Sequence, residues 1–235
     1  MRQKLVLPLI VFWISISMPA NYSSGNYHMP GLNDSDALMY AALNDTLLNR
    51  EAFEIALKGH RILIENGAVN KPGLLSVIDY SLPSTTERLY VIDMRQNRIL
   101  HKCRVAHGRN SGELYATTFS NLMHSHQSSV GFFITGNSYR GAQGYSMYLL
   151  GQDSGYNDNA LQRSVVIHGA DYVTEKYIQQ YGRAGRSFGC PAIPPDVNKE
   201  IIDLISEGSV IFSYYPMTGY LQKSTVLTGR FANSL

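Results

Sequence analysis

Apolar and polar positions follow two different rhythms along this chain. Between Asn49 and Gly67 the apolar residues Phe53, Ala56, Leu57, Leu63 and Ile64, with His60, recur at the spacing of one helical face. Asn49 has the chemistry of an N-cap and Gly67 that of the residue past a helix end, so a helix is predicted between them. A shorter apolar-rich segment, Asp36 to Asn44, precedes it as a second short helix. From Leu74 the texture changes to short runs rich in Val, Ile, Tyr and Phe: LLSVIDYS, RLYVIDM, RILHKCRVAHG, SSVGFFITG, YSMYLLGQ, SVVIHGA and SVIFSYYP. Most are bounded by Gly, Asn, Ser or Pro, the punctuation of strands. Met94 to Arg98 reads as the turn of a hairpin. Helical spacing returns twice. Val173, Tyr177, Ile178 and Tyr181 share a face of a helix ended by Gly182, and Val197, Ile201, Leu204 and Ile205 share a face of one entered at Pro195 and left by Gly208. The pattern predicts a mostly β fold with flanking helices, an α+β domain preceded by a helical lead-in.

The first twenty residues stand apart. Arg2 and Lys4 make a basic start, and Leu5 to Ile16 is an apolar run too short to span a bilayer comfortably but of the length of a signal core. Residues 1–20 are therefore expected to be an export signal, and no later run is long enough to be a transmembrane helix. Residues 21–33 are polar and rich in Gly, Ser and Asn, a linker, so 21–70 reads as linker plus helical lead-in and 71–235 as the main domain. Of 20 Lys and Arg and 18 Asp and Glu, the signal carries two basic residues and no acid, which leaves the exported part near neutrality. That balance argues against a nucleic-acid partner, which calls for a basic patch. With 44% apolar residues there is enough for a real core.

The chain has two cysteines, Cys103 and Cys190. Cys190 sits in GRSFGCPAIPP, between a glycine and a proline, where a core-filling thiol has no reason to be. Three readings are open: a Cys103–Cys190 disulfide, allowed outside the cytoplasm; a metal ligand; or a nucleophile. Zinc sites show close ligand pairs, and the only close pair here, His124 and His126, has no cysteine near it. A nucleophilic thiol needs a base. Among seven histidines, His168 ends the strand SVVIH and is followed by Gly169, so its side chain projects at a sheet rim. One helix separates it from Cys190, and a helix with a return loop brings such ends back together. Gly189 lets backbone approach a substrate carbonyl, and its N–H and that of Cys190 are candidate oxyanion donors. Pro191 stiffens the turn. Papain-like proteases place the cysteine before the histidine, the reverse of this order.

SVVIHGADYV followed by GRAGRSFGCPAI resembles the signature of the L,D-transpeptidase (YkuD-like) catalytic domain, an Ile-His-Gly strand end followed by Ser-x-Gly-Cys. The stretches VIDYSLPST, RLYVIDM, VAHGRNSG and NDNALQRSVVIHGADYV resemble the murein L,D-transpeptidase catalytic-domain-like branch, co-linearly from about Leu74 to Pro216. The resemblance implies a β-sandwich or barrel-like domain with its site at one rim. It implies that Cys190 attacks the carbonyl between a diamino acid and D-Ala in a peptidoglycan stem peptide, and that His168 is base and then acid, oriented by a backbone carbonyl near Gly169. An amine then resolves the acyl-enzyme, or water does so in a carboxypeptidase branch. No metal or organic cofactor is implied. The location implied is the periplasm or cell envelope of a bacterium. Ser187 and Phe188 fall on the substrate side of the motif, Phe188 standing where the common pattern has a second histidine and walling the acyl pocket. Arg183 and Arg186 are candidates to hold a substrate carboxylate. The alternative from another class is a non-catalytic wall-binding module stapled by Cys103–Cys190.

Overall fold

The computed structural model describes residues 34–231. The expected signal and linker, and His28, lie outside the described residues. Two helices lead, α1 (Asp34–Ala42) and α2 (Arg50–Glu65). The Asn49 side chain accepts the Ala52 N–H, a cap that satisfies one of the orphan donors of α2. The strands are β1 (Leu74–Asp79), β2 (Glu87–Asp93), β3 (Arg98–Arg104), β4 (Gly131–Gly141), β5 (Gly144–Gly151) and β6 (Val166–Gly169). After β6 come a 3-10 turn (Asp171–Val173), α3 (Glu175–Tyr181), β7 (Ala192–Ile193), α4 (Pro195–Ile205), β8 (Val210–Tyr214) and the short helices α5 (Tyr220–Lys223) and α6 (Thr225–Thr228).

One sheet of eight strands runs in the order β3-β2-β1-β8-β4-β5-β6-β7. The chain past β3 then returns to the far edge: the Ala106 N–H donates to Ala192 O of β7 at 2.8 Å, and Gly108 bridges Ser187. The sheet is thus nearly closed into a barrel, mostly β with flanking helices. The turn expected at Met94 to Arg98 joins β2 to β3, with Asp93 Oδ1 accepting the N–H groups of Arg95 and Gln96.

The central strands are buried on both faces, which explains their near-continuous apolar runs. On one face α2 packs on β1 and β8. There the Phe132 and Phe212 rings stack at 4.4 Å, with Phe132 seated against Gly59 of α2. On the other face Ile78, Val91, Phe133, Met147, Ile167 and Ile211 pack with Ile201, Ile202 and Ile205 of α4. Each such buried side chain contributes roughly 1.5–3 kcal/mol.

Three features differ from the sequence expectation. The single helix expected over Asp171 to Tyr181 is broken, because Thr174 is extended and caps α3 by accepting the Tyr177 N–H. RILHKCRVAHG is not one strand: β3 ends at Arg104, and the rest forms the closing seam. The helices α5 and α6 were not signalled at all. A buried carboxylate holds them: Asp153 accepts the Phe132 N–H (2.9 Å) and Tyr220 hydroxyl (2.7 Å) at Oδ2, and the Ser224 hydroxyl (2.6 Å) and Val226 N–H (3.1 Å) at Oδ1. Both cysteines are free thiols, so the Cys103–Cys190 staple is not formed; Cys103 is buried in β3.

Candidate active site

The parallel pairing of β6 with β7 brings two distant chain segments together. His168 pairs with Ala192 and Gly169 with Ile193. Cys190, two residues before Ala192, accordingly lies beside Val166, two residues before His168. The Val166 N–H points at Cys190 Sγ at 3.5 Å, and the thiol donates to Ser164 O at 3.6 Å. Ser164 holds a positive φ of 56°, uncommon for a residue with a Cβ, and this turn aims its carbonyl at the sulfur. Among the described residues these are the thiol's side-chain hydrogen bonds; none runs to the His168 ring.

His168 is buried, with Nδ1 3.0 Å from Gly169 O. Nδ1–H donates to that carbonyl, which leaves Nε2 with the lone pair a base needs. Burial lowers the His168 pKa, against a smaller opposing effect of the Gly169 hydrogen bond. Burial raises the Cys190 pKa, opposed by the Val166 N–H, the Arg163 charge and the cysteine's own N–H. The resting pair is therefore a neutral thiol and a neutral imidazole. Gly169 has a packing role too, since a Cβ there would press on Asn198 and Pro195 of α4 at 3.1–3.2 Å.

The loop before the cysteine is stitched on both sides. The Ser187 N–H donates to His107 O (3.0 Å) and the Arg109 N–H to Ser187 O (2.8 Å). Ser187 Oγ donates to Cys190 O (2.7 Å) and accepts the Gly189 N–H (3.0 Å), while Ser128 Oγ donates to Gly189 O (3.3 Å). Gly189 has φ +127° with Gln127 O 2.9 Å from where a Cβ would sit, so this position takes glycine on two counts. The two N–H groups expected to serve as oxyanion donors differ in their resting partners. The Gly189 N–H donates to Ser187 Oγ, and the Cys190 N–H, like that of Val166, faces the sulfur. Ser187 is buried and its hydroxyl bridges the turn.

The two arginines expected to meet a carboxylate have one within the protein. Arg183 and Arg186 converge on one carboxylate, Glu113, with Arg183 Nε at 3.0 Å and Arg186 Nη1 in direct contact. Glu113 offsets one of the two charges and ties both side chains to the protein. Phe188 is 67% exposed. Its ring meets the Arg109 guanidinium at 4.7 Å and the His126 ring at 4.8 Å, and Arg109 Nη2 donates to His126 Nδ1 at 2.9 Å. Phe188 and Arg109 thus form an exposed ledge beside the loop that carries Cys190.

Arg109, Ser128, Arg163 and Ser164 escaped the sequence reading. Arg163 stands directly before SVVIH and Ser164 opens it, and Ser128 lies in the polar SHQSSV loop. Each contributes through tertiary placement, which no local periodicity marks.

The family described as L,D-transpeptidase catalytic domain matches residues 44–214, well over half of the chain. No curated protein matches it. Solved structures similar to it include an L,D-transpeptidase from Mycobacterium smegmatis, at 16% identity and a TM-score of 0.37, covering 61% of this chain and 59% of that one. L,D-transpeptidase 1 of Mycobacterium tuberculosis is 14% identical, with a TM-score of 0.35 and coverage of 61% and 62%. An Enterococcus faecium L,D-transpeptidase is 15% identical, with a TM-score of 0.37 and coverage of 60% and 50%. The chain spans between half and about three fifths of the length of these structures.

Proposed function

Since the chain belongs to the L,D-transpeptidase catalytic domain family, we propose that it is a cysteine acyltransferase acting on peptidoglycan stem peptides, exported to the cell envelope. The observation that supports the reading is the register of β6 and β7, in which His168 pairs with Ala192, two residues after Cys190, while among the described residues His168 has a hydrogen bond at Nδ1 and none at Nε2. Basic residues followed by an apolar run at the N-terminus support export.

In this reading Sγ attacks the carbonyl of the diamino acid, and the thiol proton passes to His168 Nε2. The Cys190 N–H steadies the oxyanion. The carbon–nitrogen bond to D-Ala breaks as His168 returns the proton to the leaving amine. An incoming amine then attacks the thioester, forming a new amide and restoring the thiol. Purified protein incubated with tetrapeptide-bearing muropeptides is expected to release D-Ala and form a cross-linked dimer. Release of D-Ala with tripeptide as the sole other product assigns the carboxypeptidase branch, and intact substrate rejects the reading.

The pH profile of kcat/KM follows from the two shifts. His168 must be unprotonated, and burial has moved its pKa down, so the acid limb lies below the usual imidazole range. Cys190 must bring a proton, and burial has moved its pKa up, so the alkaline limb lies above the usual thiol range. Stopped-time assays from pH 4 to 11 read both limbs, and an acid limb above about pH 7 contradicts the assigned base.

Arg109, beside Phe188 and with no carboxylate paired to it among the described residues, joins Arg183 and Arg186 as a candidate to meet a stem-peptide carboxylate. It is exposed, and among the described residues its one side-chain hydrogen bond is to His126. Arg109→Gln is expected to raise KM by about tenfold or more with kcat nearly unchanged, the loss of one charge-assisted hydrogen bond. Substrates with amidated carboxylates should show no such penalty, and an equal KM increase for both forms removes Arg109 from carboxylate recognition.

A further inference from the structure

Arg163 is a half-buried cation whose partners are all uncharged. Nη1 donates to Ser120 O (2.6 Å) and Ser129 Oγ (2.5 Å), and Nη2 to Gln127 O (2.6 Å) and Ser125 Oγ (3.2 Å). No carboxylate pairs with it among the described residues, where seven other Lys and Arg side chains find one. A partly buried charge with no opposite charge nearby is costly to hold. Four oxygen partners on one loop show that the fold holds this one in a set place.

That place is the back of the cysteine loop. Nη2 lies 3.3 Å from where a Cβ of Gly189 would be, and Gly189 precedes Cys190. The residue after Arg163 supplies the carbonyl that accepts the thiol, and Val166 supplies the N–H that points at the sulfur. One short stretch, 163 to 166, thus presents a cation, an acceptor and a donor to one atom. The other ionisable groups whose fields reach Cys190 are Tyr80, Tyr139 and Tyr172, all pushed by burial toward the uncharged form, and His168 stands on the adjoining register. The guanidinium is the single standing charge in this set.

We infer that Arg163 is the counterion of the Cys190 thiolate: the serine-rich loop holds a guanidinium with no carboxylate partner so that negative charge on the sulfur, when the proton leaves, meets a fixed positive field. Arg163 is a positioning residue in electrostatic terms, acting on Sγ without a hydrogen bond to it. The mutual effect on the two groups has the sign this requires, the guanidinium favouring the thiolate and the thiolate favouring the charged guanidinium. The carbonyl of Ser164 serves the opposite state by accepting the S–H, so the sulfur has one partner for each form. This rests on Cys190 being the nucleophile, and it identifies what lowers the cost of making it one.

The test is the thiol titration of the full folded protein, which needs no substrate. The rate of iodoacetamide alkylation at Cys190, followed by peptide mass mapping from pH 5 to 11, gives the pKa. Arg163→Gln is expected to raise it by about one pH unit or more, the size an adjacent charge produces. Arg163→Lys, which keeps the charge and loses the fork of hydrogen bonds, is expected to stay near wild type. A purely structural Arg163 would lower thermal stability in both variants and leave the Cys190 pKa where it was, and that result overturns the inference. Should Arg163→Gln not fold, a folded Arg163→Lys whose thiol pKa has risen by a full unit overturns it equally. If the pKa moves as stated while muropeptides remain intact, the counterion stands and the proposed reaction falls.

Discussion

Cys190→Ala is expected to reduce turnover of tetrapeptide substrate by a factor on the order of 10⁴ or more, the scale seen when the nucleophile of a covalent mechanism is removed. The remaining groups cannot substitute. His168 is buried, and its Nδ1 is engaged with Gly169 O. The other thiol, Cys103, is buried in β3 with its pKa pushed up to about 12. The loss should be chemical, not structural. The sulfur makes two long contacts, to Val166 N–H and Ser164 O, and the loop is held by Ser187, Ser128 and the His107 and Arg109 backbone. Thermal unfolding of Cys190→Ala is therefore expected close to wild type. Cys103→Ala should show the reverse, with activity retained and stability lowered by the vacated core volume. Muropeptide assays paired with melting curves separate the two; activity surviving in Cys190→Ala removes the sulfur from the mechanism.

The largest stability effect is expected at Asp153. Asp153→Ala removes the acceptor of four donors at once: the Phe132 and Val226 N–H groups and the Tyr220 and Ser224 hydroxyls. All lie in buried surroundings, and each buried donor left without a partner costs about 1–3 kcal/mol. A loss on the order of 4 kcal/mol is expected, seen as a fall of about 10 °C in Tm for a domain of this size. Asp153→Asn keeps one oxygen and is expected to lose about half as much. Cleavage by protease should begin in the 217–231 segment of the alanine variant, because Asp153 is what ties α5 and α6 to β4. A melting temperature for Asp153→Ala within about 2 °C of wild type would show that these hydrogen bonds contribute little.

Local structure was legible where one physical rule acts alone. The helical face from Phe53 to Ile64 and the cap at Asn49 are local, and the structure has both in α2. The strand runs of β1, β2, β4, β5, β6 and β8 are apolar because helices or curvature cover them, and runs of that kind carry their own boundaries. The return of the chain near Cys190 to the end of β6 was legible from a simple topology, a strand end, a helix and a return loop. What the helix hid was its break at Thr174, a cap residue whose role depends on its extended backbone.

The site's wiring was less legible because charge partners are chosen in three dimensions. Arg183 and Arg186 stand beside the motif in sequence, yet Glu113 from another loop pairs with both. Arg163 and Arg109 look like ordinary loop cations, yet one sits behind the cysteine loop and the other over Phe188. The Gly189 N–H was read as free because a glycine beside a cysteine offers its backbone, but Ser187 two residues earlier takes it. The buried Asp153 that fastens α5 and α6 is likewise invisible to periodicity, since the donors it gathers lie in three separate segments.

The most direct test traps the intermediate itself. Mixing the protein with a stem tetrapeptide, quenching in acid and weighing the intact chain should show a mass gain equal to the substrate less D-Ala, located by peptide mapping on Cys190 and absent from Cys190→Ala. Substrate consumed with no adduct on Cys190, or an adduct on any other residue, would contradict the account.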